Sequence, residues 1–257
     1  YYFTGSIPLL MICILSLEYL AYPMEDGEVW AYYRLSENIY TDFYHINWIS
    51  QYNVISEYYM GQPPLLPSLI GIFNLLFNQG VYGGYYINVL ASILTFTVIL
   101  NISGILFEDK FYGIFIYFLL ISQKTYWYDI FRGDPYPIFI LLICIILYFM
   151  LLNKEINPKY MIGLGVLMGL TSMQRFDFLL GGMGLGFIVV VKNIRQEFRN
   201  LTLYYISFII SISPWIVHSY LRFGKIFTSD NSGNVFTTKY HHFLEFHVNK
   251  PQTLFNA

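Results

Sequence analysis

Residues 85–106 read YYINVLASILTFTVILNISGIL, twenty-two positions without a charged side chain. At 1.5 Å per residue such a run makes a helix of roughly 33 Å, about the thickness of a bilayer's hydrocarbon core. Its apolar residues form a continuous run, whereas a half-buried soluble helix shows a stripe every 3.6 residues. Six more runs are apolar nearly throughout, with charges confined to Glu18 and to run ends: 4–22, 111–123, 136–152, 160–175, 177–192 and 201–221. The chain therefore reads as all-α, a polytopic transmembrane helix bundle. The stretch 64–77 is shorter and starts with Pro-Pro, which suits a helix lying at the membrane surface better than one that crosses.

Composition agrees with a lipid solvent. Hydrophobic residues make up 56% and charged residues 12%, where a soluble domain carries about 25% charged. Aromatics reach 20%, many of them at the ends of the apolar runs, where amphipathic rings favour the headgroup region. The net charge of −2 comes with no basic block, so nucleic acid is not an expected partner. Cys13 and Cys144 both lie inside apolar runs and read as small core residues. His241 and His242 are adjacent, a poor spacing for joint metal ligation, and neither a phosphate-binding glycine loop nor a serine nucleophile elbow occurs. The sequence starts at Tyr1 without an initiator Met, and we expect 1–257 to be one transmembrane module at the N-terminal end of a longer protein.

Basic residues in short loops orient the bundle. Lys154 and Lys159 share one loop; Lys192, Arg195 and Arg199 share another. With both loops in the cytoplasm, the N-terminus is inside, and 23–84, 124–135 and 222–257 are outside. The expected location is the cell membrane, with any site facing outward. Gly165-x-x-x-Gly169 and Gly182-x-x-x-Gly186 on consecutive runs read as packing contacts between helices.

The outer face collects the candidate chemistry. Glu25-Asp26-Gly27 follows the first run, and Gly27 lets the backbone turn sharply beside Asp26. A helix-compatible stretch, 28–39, comes next, with Trp30, Tyr33 and Ile39 available to face lipid. The polar, aromatic segment 40–61 then leads to the helix at 64–77. Together they outline a cleft at the membrane surface, although an ordinary loop with an Asp cap explains the same residues. Arg132-Gly133-Asp134-Pro135 opens the fourth run from the same side, with Asp134 as N-cap and Pro135 at the first helical position. Acidic groups sharing a face, Asp26 with Glu25 and Asp134, suit acid–base work or a divalent metal such as Mg²⁺ or Mn²⁺. Arg175, Arg222 and Lys225 are cations on that face, suited to a lipid phosphate or to ordinary headgroup contact.

In their order these features resemble the GT-C-fold glycosyltransferases that use a lipid-phosphate sugar, the group that contains protein mannosyltransferases and lipid A aminoarabinose transferases. Four landmarks carry the resemblance across roughly 5–235. They are Asp26-Gly27 with Trp30 after the first run, and Pro63-Pro64-Leu65 opening a short helix that ends at Leu76-Phe77. Gly169-Leu170 leading to Arg175, and Pro214-Trp215 followed by Phe223-Gly224, complete the set. Phe176 stands where the family often has Pro, and His218 and Ser219 stand where it often has Arg-Asn.

The resemblance implies a GT-C-like bundle with interfacial helices in its first extracytoplasmic loop, 23–84. It implies inverting transfer from a polyprenyl-phosphate sugar to a hydroxyl of a glycan, lipid or protein. Asp26 is then the general base, and Arg175, Arg222 or Lys225 meets the departing phosphate. If a divalent metal takes part, Asp134 is the natural partner of Asp26. Two other classes stay open at this point. A multi-pass transporter would place ionisable groups near the bilayer midplane, and a noncatalytic membrane subunit would keep the fold alone.

Overall fold

The computed structural model describes residues 32, 33, 35, 36, 45–49, 54–58, 63–152, 157–175, 178–190 and 194–223. Within them the architecture is all-helical but for one hairpin, β1 (His45–Ile49) antiparallel to β2 (Val54–Tyr58), with His45 opposite Tyr58 and Ile49 opposite Val54. The helices are α1 (Leu65–Phe77), α2 (Gly83–Leu106), α3 (Phe111–Ile121), α4 (Lys124–Arg132), α5 (Tyr136–Leu152), α6 (Pro158–Gln174), α7 (Phe178–Val190) and α8 (Ile194–Phe223).

The tightest contact joins α6 to α8. A Cβ on Gly165 would collide with the Ser207 hydroxyl and the Tyr204 carbonyl, and one on Gly169 would meet Ser211 Cβ at 2.5 Å. Small residues one turn apart let the two backbones touch, which is how apolar helices associate where lipid removes the hydrophobic drive. The matching order of the contacts makes the helices parallel. Around this seam Met161, Leu164, Met168, Tyr204, Phe208 and Ile146 form one buried cluster. Pro214 interrupts α8 and leaves the Ile210 carbonyl without its helical amide. The Ser213 hydroxyl donates to that carbonyl at 2.8 Å, so the break leaves no bare acceptor in the apolar surroundings.

A second cluster joins α2, α3 and α4. In succession α3 and α4 follow α2 back, from Gly113 beside Leu100 to Gly133 beside Gly84. Ser92 is shared between two phenols: its hydroxyl lies 2.8 Å from that of Tyr117, and Tyr126 donates to it at 3.1 Å. The third cluster sets Leu66 and Ile70 of α1 against Ala91, Ile138 and Leu142, with Tyr32 packed among them. The C-terminal turn of α1 leaves Leu75, Leu76 and Phe77 more than half exposed.

The boundaries of α2, α5 and α6 follow the apolar runs to within about two residues, whereas α8 starts at Ile194, well before the run at 201–221, and the lengths differ in meaning. Among the described residues two helical stretches are long and apolar enough to cross a membrane, Gly80–Leu106 and Phe198–Leu221. A third counts if α4 and α5, bent by 111°, are taken as one broken span. At 11 and 13 residues, α3 and α7 fall short of the roughly 20 that a straight crossing needs. At 13 residues α1 is also short, in line with the reading of 64–77 as non-crossing. The run 4–22 lies outside the described residues.

Helix directions give the bundle two chemically distinct ends. Phe149 stacks on Tyr160 at one end, while the Arg175 guanidinium lies over Tyr136 at the other, so α5 and α6 are antiparallel. Lys159 and Arg199 consequently share the first end. Asp134, Arg175 and the C-terminus of α8 share the second.

Candidate functional site

The second end is organised by the corner between α4 and α5. α4 stops at Gly133, whose φ of 67° lies in the left-handed region. The amide of Gly133 donates to the Ile130 carbonyl at 3.3 Å and that of Asp134 to the Asp129 carbonyl at 2.9 Å. This pair of bonds is a Schellman termination, in which the residues in the places of Asp129 and Asp134 usually supply an apolar contact. Here both are carboxylates, 8% and 4% exposed. Asp129 had not been singled out from the sequence. Its signal was the spacing Asp-x-x-x-Gly-Asp, which is meaningful only once Gly133 is known to end a helix.

α5 coincides with the run 136–152, but its cap lies one residue later than expected. The Pro135 carbonyl accepts the first helical bond, from Phe139 at 3.1 Å, which places Pro135 at the cap and Asp134 before it. Asp134 is therefore not the N-cap, because its own carbonyl turns to a different donor. The side-chain amide of Asn88, on α2, donates to the Asp134 carbonyl at 2.8 Å and to the Asp129 carbonyl at 3.2 Å. Gly84, one turn earlier on α2, lets the Gly133 backbone come close: a Cβ there would stand 3.5 Å from Gly133 Cα.

Two arginines face this corner. Arg132 Nε lies 3.9 Å from Asp134 Oδ2, a charge contact longer than a hydrogen bond, and its guanidinium sits 4.4 Å above the Tyr128 ring. Arg175 ends α6, with its guanidinium 4.8 Å from the Tyr136 ring centre and 5.5 Å from that of Phe139. Stacking on two rings orients the planar guanidinium. The preceding residue, Gln174, is fully buried and donates from its side-chain amide to the Pro135 carbonyl at 2.8 Å.

Of the site residues expected from sequence, Asp134 and Arg175 thus come to one corner. Arg222 lies in the last turn of α8, and nothing of its side chain is described. Glu25, Asp26 and Lys225 lie outside the described residues, as does Asp177. Near the same end Trp215 is buried and stacks on His218, with ring centres 5.6 Å apart. For a divalent cation the fit is incomplete. Among the described residues no three His, Cys, Asp or Glu side chains gather, and Asp134 already faces Arg132.

Residues 61–218, more than half of the chain, match the sequence model of the family described as dolichyl-phosphate-mannose-protein mannosyltransferase. No curated protein matches the chain. Its fold is similar to that of ArnT from Cupriavidus metallidurans, solved bound to undecaprenyl phosphate, with a TM-score of 0.64 and 15% identity. The similarity covers 89% of this chain and 43% of ArnT, so the chain spans less than half of that protein's length.

Proposed function

The chain belongs to the dolichyl-phosphate-mannose-protein mannosyltransferase family, and from that premise we propose that it is a membrane glycosyltransferase with a polyprenyl-phosphate-linked sugar as donor. The fold shared with a protein solved with undecaprenyl phosphate supports the lipid-phosphate part of this reading. The acceptor is a hydroxyl of a glycan, lipid or protein at the extracytoplasmic face.

In this reaction the acceptor oxygen attacks the anomeric carbon from the side opposite the phosphate. The bond from that carbon to the phosphate oxygen breaks, polyprenyl phosphate leaves with the electron pair, and the configuration inverts. Asp26 takes the hydroxyl proton, a contribution of about 10²–10⁴ in rate for a positioned general base. Arg175 meets the phosphate, and Arg222 and Lys225 add positive charge where the negative charge of the leaving group grows. Asp134 and Glu25 support the base.

The observation that supports this best is the convergence of buried Asp129 and Asp134 with ring-held Arg175 at one end of an apolar bundle, opposite Lys159 and Arg199. Under the positive-inside rule the end with Lys159 and Arg199 is cytoplasmic and the acidic corner is outside. A transporter would set such groups near the middle of its spans, whereas α2 carries no charged residue at all. The test is the full-length protein in proteoliposomes, supplied with a polyprenyl-phosphate sugar and, separately, with free sugar. We expect transfer with release of polyprenyl phosphate. Sugar flux without transfer would overturn the proposal.

A further inference from the structure

We propose that Asn88 and Gln174 are positioning residues, which fix the Asp134 carboxylate and its spacing from Arg175 by holding two consecutive backbone carbonyls. The inference rests on the transferase reading above and adds the machinery that makes its acidic corner rigid.

Both side chains are fully buried, and Asn88 shares the buried face of α2 with Ser92, Thr95 and Ser103, whose hydroxyls find partners elsewhere. An amide taken out of water costs about 1–3 kcal/mol unless it is hydrogen-bonded, so a packing role alone would be filled better by leucine. Each amide spends its donor group on the same turn. Asn88 holds the carbonyl of Asp134, and Gln174 holds that of Pro135. The two peptide planes on the C-terminal side of Asp134 are therefore pinned from different helices, α2 and α6. The plane on the N-terminal side is pinned by the bond from the Asp134 amide to Asp129. With the backbone fixed on both sides, the direction in which Asp134 leaves the chain is fixed as well.

Gln174 does one thing more. It is the residue before Arg175, so its bond to Pro135 ties the cation-bearing end of α6 to the acid-bearing start of α5. The acceptor oxygens of both amides, Asn88 Oδ1 and Gln174 Oε1, meet no donor among the described residues. The side chains are thus placed by what they donate to, and the turn they donate to is the one that carries Asp134.

The test is a double-mutant cycle on the full-length protein, read by single-turnover transfer at saturating donor. Gln174→Met keeps the length and volume of the side chain and removes the donor. In the wild-type background it lowers transfer by about tenfold to a hundredfold, the range expected when a reacting group moves by up to about 1 Å. In an Asp134→Asn background the same change costs less than about twofold, because the group it positions is already gone. Equal losses in both backgrounds, or no loss in either, would overturn the proposal. If Gln174→Met does not fold, Asn88→Leu, close in volume and without a donor, is read in the same cycle. A second reading does not depend on activity. The infrared carboxyl band of Asp134, assigned by its loss in Asp134→Asn, shifts in Gln174→Met. An unchanged band overturns positioning even if the protein transfers no sugar, and absence of transfer by the wild type counts only against the transferase reading.

Discussion

The amide of Asp134 donates to the carbonyl of Asp129, and Gly133 between them occupies the left-handed region with φ 67°. A side chain in that conformation costs roughly 1–2 kcal/mol. A Cβ on Gly133 would also stand 3.4 Å from the backbone of Gly84. Gly133→Ala is therefore expected to lower stability by about that amount and to reduce transfer, since the turn that carries Asp134 moves. Thermal unfolding in detergent together with the transfer rate checks both effects; a variant that matches the wild type in both would remove the corner from the account.

The α6–α8 seam gives the sharpest packing prediction. Gly165→Ala puts a methyl group into the Tyr204 carbonyl and the Ser207 hydroxyl, and backbone cannot step aside cheaply. Overpacking of this kind costs about 1–3 kcal/mol. Gly184 has nothing within 4 Å of a Cβ and serves as the control. Melting temperature should fall for Gly165→Ala and hold or rise slightly for Gly184→Ala, where alanine gains up to about 1 kcal/mol of helix propensity.

Arg175 separates charge from shape. Arg175→Lys retains a cation but loses the planar group that stacks on Tyr136 and Phe139 and can grip a phosphate with two bonds. Donor binding is expected to weaken in Arg175→Lys and further in Arg175→Ala, measured with a polyprenyl phosphate. Unchanged affinity in Arg175→Ala would leave Arg175 as an anchor of the α6 terminus only.

Topology is testable without activity. Single cysteines at Tyr44 and Lys154 should react with a membrane-impermeant thiol reagent from opposite sides of the bilayer. Labelling of both from one side would contradict the proposed orientation.

Much of the bundle was legible because lipid leaves a plain signature. α5 carries no charge over its 17 residues, and its ends match the run read from the sequence. α4 escaped because nine residues with Lys124, Asp129 and Arg132 look like a polar loop, although Tyr126, Asp129 and Ile130 turn inward on one face. The hairpin was hidden in a segment read as loop; its alternation, HINWI and VISEY, is short and only partly apolar. At the site, Asp134 and Arg175 were found from their place beside the apolar runs. Asp129, Asn88 and Gln174 were not, since their role comes from a helix termination and three carbonyl contacts that no spacing rule announces. Asp before Pro usually caps a helix, and here the Asn88 amide draws the Asp134 carbonyl elsewhere.

The central claim rests on Asp26, the proposed base. Single-turnover transfer by the full-length Asp26→Asn protein, with saturating polyprenyl-phosphate sugar and the wild type alongside, tests it most directly. The account predicts normal donor binding and transfer slowed by about 10²–10⁴. Near-normal turnover by Asp26→Asn would contradict it and move the base to Glu25, Glu28 or the Asp129–Asp134 corner.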